Sequence, residues 1–241
     1  TLVMCVVPAQ VAGVRRIVVC TPPQGASQIA AAAKLLGVGE VWAIGGPQAI
    51  GWLAYVERVD KIVGPGNKYV NDAKLEVSRD VAIDLPGGPS EVVVVAAGDV
   101  DRRIVDLELA AQAEHGADTV GRLLTVEGSL EEALEEVERL APEHVVLLGK
   151  AEALAARIRN AGAVFVGADS PVAAGDYATG GNHVLPTGGW ARAVGGIGLE
   201  TFLKPVTVQR LTRSGLERLR PVVEGLAAVE GMTAHAAAVQ R

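Results

Sequence analysis

From Arg15 onward the chain alternates short β-rich runs with Ala- and Leu-rich helical stretches, and this rhythm restricts the fold more than any other feature. "RRIVVC" leads into "SQIAAAAKLLG", "EVWAI" into "PQAIGWLAY", and "DKIV" into "GNKYVNDAKLEV". After a Pro/Gly-rich crossing it resumes with "EVVVVAA", a helix from about Asp101 to His115, "RLLTV", "SLEEALEEVERL", "HVVLL", "AEALAARIRNAG" and "AVFVG". Strand, helix and strand repeated in this way mean parallel strands joined by right-handed crossovers. Hydrophobic residues make up 49% of the chain and aromatics only 3%. The core is therefore mostly Ala, Val, Leu and Ile, which suits helices packed on a buried parallel sheet.

The expected fold is α/β: two Rossmann-like parallel-sheet units with a C-terminal helical extension. The first unit, incomplete, covers residues 1–84; the second, carrying the substrate and metal loop, covers 85–200; the extension covers 201–241. The dividing stretch is "IDLPGGPSE". Similar construction of the two units hints at duplication, although no residue-level repeat supports it. After Gly167 the pattern breaks into "ADSPVAAGDYATGGNHVLPTGGWARAVGGIG", a loop long enough to expect function in it. A strand-like "PVTVQRL" and helices close the chain.

A formal charge of −6, with basic residues scattered, gives no reason to expect nucleic acid, and aromatics are too few for base stacking. A small-molecule protein is expected. Cys5 and Cys20 lie in apolar, strand-like runs without a CxxC partner, so they read as buried thiols of a reducing compartment. Neither has a histidine nearby in sequence to make it a nucleophile. No uncharged apolar run reaches membrane-spanning length, and no signal peptide is evident. The chain opens at "TLVMCVVPAQVAGV" without an initiator Met, so a missing N-terminal segment is expected.

The four histidines each sit in a distinctive setting: His115 in "QAEHG", His144 in "APEHVV", His183 in "GGNHVLPT" and His235 in "EGMTAH". Together they suggest one shared site. Gln112 and His115, three residues apart, project from the same helical face. With Asp176 and His235 they would make a nitrogen and oxygen donor set suited to zinc or a neighbouring divalent ion, with no competing thiolate. The plain alternative is a helix end where Gln and His cap carbonyls.

Glu143 and His144 stand at a strand entry, where glutamate can activate water and histidine can take a proton near neutral pH. Solvent-facing polar residues at a strand start would read the same way. In "GGPSE" a glycine-rich turn presents Ser90 and Glu91, and glycine lets backbone approach a ligand closely. "VGPGN", residues 63–67, follows a strand and opens a helix, where N–H groups could receive phosphate. There is no GxGxxG fingerprint. The acidic residues of "SLEEALEEVERL" read as a solvated helix face.

In order along the chain, "VPAQVAGV", "AIGGPQAI", "VDKIVGPGNKYV", "IDLPGGPSE", "QAEHG", "PEHV", "AGDYATGGNHVLPT", "FLKPVTVQ" and "EGMTAH" resemble the signatures of histidinol dehydrogenase. The resemblance runs from near Val7 to near Val239. It implies a cytoplasmic zinc enzyme of histidine biosynthesis that oxidises L-histidinol through L-histidinaldehyde to L-histidine with two NAD. It further implies zinc, one per subunit, on Gln112, His115, Asp176 and His235, and an acid-base pair of Glu143 and His144. By the same resemblance Ser90, His144 and Glu230 contact substrate together with the zinc ligands, and Gln48 and Asn67 contact NAD. It also implies a homodimer with shared sites, in which residues 201–241 interlock and His235 and Glu230 come from the neighbouring subunit.

The sequence departs from the family's pattern in places. "TPPQGASQ" and "AYVERVD" look short, "PGGPSE" has glycine where alanine is usual, and "GGWARAVGGIGLETF" strays from the common wording. Two other readings compete. One is a paralogous zinc and NAD alcohol dehydrogenase for another small polar alcohol, such as a sulfonated diol; Ser90 and Glu230 argue against it. The other is a binding protein that has lost catalysis, against which the intact Glu143, His144 and ligand set stand.

Overall fold

The computed structural model describes residues 1–85 and 87–240; Pro86, within the "IDLPGGPSE" motif, and Arg241 lie outside the described residues. The first half runs α1 (Leu2–Val11), β1 (Val18–Cys20), α2 (Ala26–Leu35), β2 (Glu40–Trp42), α3 (Gly46–Gly51), β3 (Lys61–Ile62), α4 (Lys68–Val77) and β4 (Ala82–Ile83). The second runs β5 (Glu91–Ala97), α5 (Arg102–Ala113), β6 (Val120–Val126), α6 (Leu130–Leu140), β7 (His144–Gly149), β8 (Ala163–Val166) and α7 (Val172–Tyr177). Helices α8 (Arg213–Val229) and α9 (Thr233–Ala238) follow. Its internal contacts divide the chain into Thr1–Leu203 and Lys204–Arg241.

The fold is α/β with parallel sheets, as the alternation predicts. The second half forms a four-stranded parallel sheet in the order β6-β5-β7-β8. Val93, Val95 and Ala97 of β5 pack with Ala133, Leu134 and Val137 of α6. Val92, Val94 and Ala96 point the other way, to Val105 of α5 and Val172 of α7. A strand covered on both faces needs an unbroken apolar run, and "VVVVAA" supplies one. In the first half the strands pair as two separate parallel ribbons, β1 with β2 and β3 with β4.

Four segments differ from expectation. The opening residues, expected strand-like around Cys5, form α1. The run is too long for one strand, and length separates helix from strand where periodicity does not. Pro8 inside α1 has no N–H to give the Met4 carbonyl, and the Asn182 side-chain amide donates to that carbonyl instead at 2.7 Å. Cys5 and Cys20 are half-buried rather than buried. Burial still pushes the Cys5 thiol up to about 11, and Cys20 is raised for the same reason, so both are poor nucleophiles near neutral pH.

The helix expected over "AEALAARIRNAG" is only a 3-10 turn, Lys150–Leu154. The Arg159 N–H goes to the Glu138 carboxylate of α6 at 2.6 Å rather than to a helical carbonyl. The long stretch after Gly167, expected as loop, contains α7. "PVTVQRL" is not a strand. Val206 and Val208 are 75% and 88% exposed, and a lone alternating run without a partner strand has nothing to satisfy its backbone. Among the described residues no helix is long and apolar enough to cross a membrane.

Candidate active site

A cavity of about 320 Å³ lies where the ends of β3 and β4 meet the starts of β5 and β7. The loop leaving β3 contributes Gly64–Gly66, and the segment leaving β4 contributes Leu85, Gly87, Gly88 and Ser90. Glu143 and His144 enter from the start of β7, His115 from the end of α5, and Asp176 and Tyr177 from α7. Thr1, Asn71, Lys74, His183 and Thr187 complete the polar lining. Thus Ser90, His115, Glu143, His144 and Asp176, spread over the sequence, line one cavity.

Several contacts fix this arrangement. Val105, Glu108 and Gln112 form the buried face of α5. The Glu108 carboxylate accepts the Val172 N–H that opens α7, at 3.3 Å, which sets the α7 backbone carrying Asp176. A Cβ on Gly175 would fall 2.4 Å from the Phe165 ring, so glycine lets α7 lie this close to the sheet. His183 Nδ1 bonds the Asp176 carbonyl at 2.8 Å and its Nε2 pairs with the Thr1 hydroxyl at 3.2 Å. The loop after α7 is tied back at two points: Gly88 N–H donates to Thr187 Oγ1 at 2.6 Å, and Gly188 N–H to Glu91 Oε1 at 2.7 Å.

Among the described residues Gln112 caps no carbonyl with its side chain. It is 3% exposed and its amide nitrogen donates to Ser90 Oγ at 3.0 Å, so the amide oxygen is the atom it could offer a cation. His115 supplies an imidazole and Asp176 a carboxylate on the cavity itself, with no thiol among the described residues that line it. That donor set fits zinc. Among the described residues no three His, Cys, Asp or Glu side chains cluster closely enough to hold an ion by themselves. His235 lies on α9 and Glu230 at the end of α8, both exposed, in the Lys204–Arg241 unit. Gln48 and Asn67 are exposed and do not line the cavity; Asn67 caps α4, its Oδ1 accepting the Val70 N–H at 3.1 Å.

The Glu143–His144 pair is buried, not solvent-facing. Glu143 sits in the bend just before β7, which lets two adjacent side chains face one cavity. His144 Nδ1 meets the Glu91 carbonyl oxygen at 3.3 Å, and Glu143 Oε2 lies 3.7 Å from the same nitrogen. A carbonyl only accepts, so Nδ1 carries the ring proton and Nε2 the lone pair. Nε2 is buried and without a hydrogen-bond partner among the described residues. Burial lowers the His144 pKa, which favours the neutral ring.

Burial pushes Glu143 up to about 7, outweighing the Ser90 hydroxyl and the Glu91 N–H, which both favour its ionised form. The native state therefore favours the proton more than the unfolded chain does. Stability linked to this group is fully present below the ordinary value of 4.5 and is lost as pH rises through about 7. Converted to free energy, the loss is on the order of 3 kcal/mol. Glu143→Gln is accordingly expected to be more stable than the parent above pH 7 in metal-free protein, with the difference vanishing towards pH 4. Urea midpoints against pH check this; a Gln variant less stable at every pH would contradict it.

Sequence reasoning missed Glu108, which sets α7, and Asn71 and Lys74, which line the cavity. Asn67, Asn71 and Lys74 stand at i, i+4 and i+7, a polar stripe on one face of α4, and that spacing was the available signal.

The family model for histidinol dehydrogenase matches residues 1–130 and 120–241. Histidinol dehydrogenase from Methanosarcina barkeri (strain Fusaro / DSM 804) is 40% identical over 286 residues, covering 100% of this chain and 66% of its own length. That alignment is longer than the 241-residue chain, so this relative carries insertions within the matched region. The enzyme from Vibrio parahaemolyticus serotype O3:K6 is 39% identical, covering 99% of this chain and 66% of its own length. The crystal structure of histidinol dehydrogenase from Elizabethkingia anophelis superposes with a TM-score of 0.92 at 36% identity, over 100% of this chain and 66% of that one. The chain thus spans just under two thirds of the length of these relatives, and by matches that run through the whole of it the chain belongs to the histidinol dehydrogenase family.

Proposed function

We propose that this chain carries the catalytic centre of an NAD-dependent, zinc-dependent enzyme that oxidises L-histidinol through L-histidinaldehyde to L-histidine in the cytoplasm. The observation that carries the reading is the buried, unpartnered lone pair of His144 Nε2, on the cavity shared with Glu143, His115 and Asp176. His144 takes the substrate hydroxyl proton at Nε2, while the Glu91 carbonyl holds the ring by Nδ1. Glu143 takes a proton from water when the aldehyde is hydrated, a task for a carboxylate whose pKa sits near neutrality.

Zinc would be held by Gln112, His115, Asp176 and a neighbouring subunit's copy of His235, and when bound it supplies a template for the substrate's imidazole and amino nitrogens. NAD, contacted by Gln48 and Asn67, supplies the hydride acceptor. Ser90 and Glu230 orient the substrate, Ser90 being fixed by Gln112. The working division is 1–84, 85–200 and 201–241, the last serving dimerisation. Leu219, Val222, Leu226 and Val229 form an exposed apolar stripe along α8, a surface that favours burial against another copy.

The test is NADH production from L-histidinol, compared with other small polar alcohols. Chelation, and dilution until the dimer dissociates, are expected to abolish turnover together with zinc retention. Full activity in a verified monomer would contradict the shared site, and preference for another alcohol would favour the paralogous reading.

A further inference from the structure

Asn71 is 6% exposed, lines the same cavity as His144, and belongs to no contact yet assigned a role. Its Nδ2 donates to the Gly66 carbonyl at 3.1 Å, while its Oδ1 is buried with no hydrogen-bond partner among the described residues. Leaving such an acceptor unmet is costly, so a ligand that brings an N–H there is rewarded. A methyl on Gly87 would fall 2.6 Å from Asn71 Oδ1 and 2.7 Å from Nδ2. The glycine that departs from the usual alanine is thus what admits the Asn71 amide to the cavity wall.

We infer that Asn71 Oδ1 accepts an N–H of the nicotinamide carboxamide; this rests on the NAD reading above. Asn71 stands one turn beyond Asn67 on the same face of α4, and of the two only Asn71 reaches the cavity. A dinucleotide held at Asn67 therefore meets Asn71 at its reacting end. The substrate's nitrogens would be met elsewhere, by the zinc that Gln112, His115 and Asp176 would hold. The carboxamide nitrogen is the nicotinamide ring's hydrogen-bond donor to an amide oxygen, and one such bond fixes which way the ring faces.

The experiment is calorimetric binding of NAD and of 3-acetylpyridine adenine dinucleotide, which has a methyl in place of the amide nitrogen, to the full chain. The wild type is expected to prefer NAD by about tenfold, the value of one hydrogen bond. Asn71→Ala, and Asn71→Ala with Gly87→Ala to refill the space, are expected to erase that preference by weakening NAD alone. Equal weakening of both dinucleotides, or an unchanged preference, overturns the inference and leaves the NAD reading standing. If the wild type binds neither dinucleotide, the NAD reading fails and this inference with it.

Discussion

Replacing His144 by asparagine is expected to slow L-histidinol oxidation by roughly 10²–10⁴-fold, the usual contribution of a positioned general base. Asparagine keeps an N–H where Nδ1 now faces the Glu91 carbonyl and removes the far edge of the ring with the Nε2 lone pair, so the start of β7 stays anchored. Paired at His144 with Val92 and Ala163 on its two neighbours, that strand is central to the sheet, and its stability should change little. Zinc content is expected to remain at the wild-type level, because the imidazole is separate from the donor set of Gln112, His115 and Asp176. Turnover and metal analysis on the same preparation check both halves. An unchanged rate would remove His144 as the base, and lost metal would place it among the ligands.

The fold was legible where burial alone determines conformation. "VVVVAA" had to be covered on both faces, and the spacing of Ala133, Leu134 and Val137 had to turn one side of α6 to the sheet. Local pattern failed where a distant partner decides. Nothing within "AEALAARIRNAG" announces that Glu138 takes the Arg159 N–H, and nothing within "SPVAAGDY" announces that Glu108 receives the first N–H of α7. At the site, Ser90, Glu143, His144, His115 and Asp176 were named from residue chemistry and family likeness, and one cavity gathers them. Asn71 and Lys74 escaped because a polar residue on a helix reads as solvent-facing until the neighbouring loops are known to cover it.

Lys74→Met is expected to be the most destabilising single change near the site. Lys74 and Asp84 form an ion pair whose side chains are only 3% and 1% exposed. Each is fully engaged: Lys74 Nζ also donates to the Gly64 carbonyl at 3.0 Å, and Asp84 accepts the N–H groups of Gly64 and Leu85, each at 2.7 Å. Removing the cation strands a buried carboxylate, which typically costs about 3–5 kcal/mol. Because Gly64, Lys74 and Leu85 all line the cavity, the loss falls on the joint between the β3 and β4 exits, beside the loop that leads to Asn67. Lys74→Met with Asp84→Asn removes both charges and leaves the amide oxygen to accept the Gly64 N–H, so it should recover much of the loss. Urea unfolding of the two variants decides the matter: a single variant within 1 kcal/mol of wild type would mean that Asp84 takes a proton or reaches water, and the pair would then have no structural role.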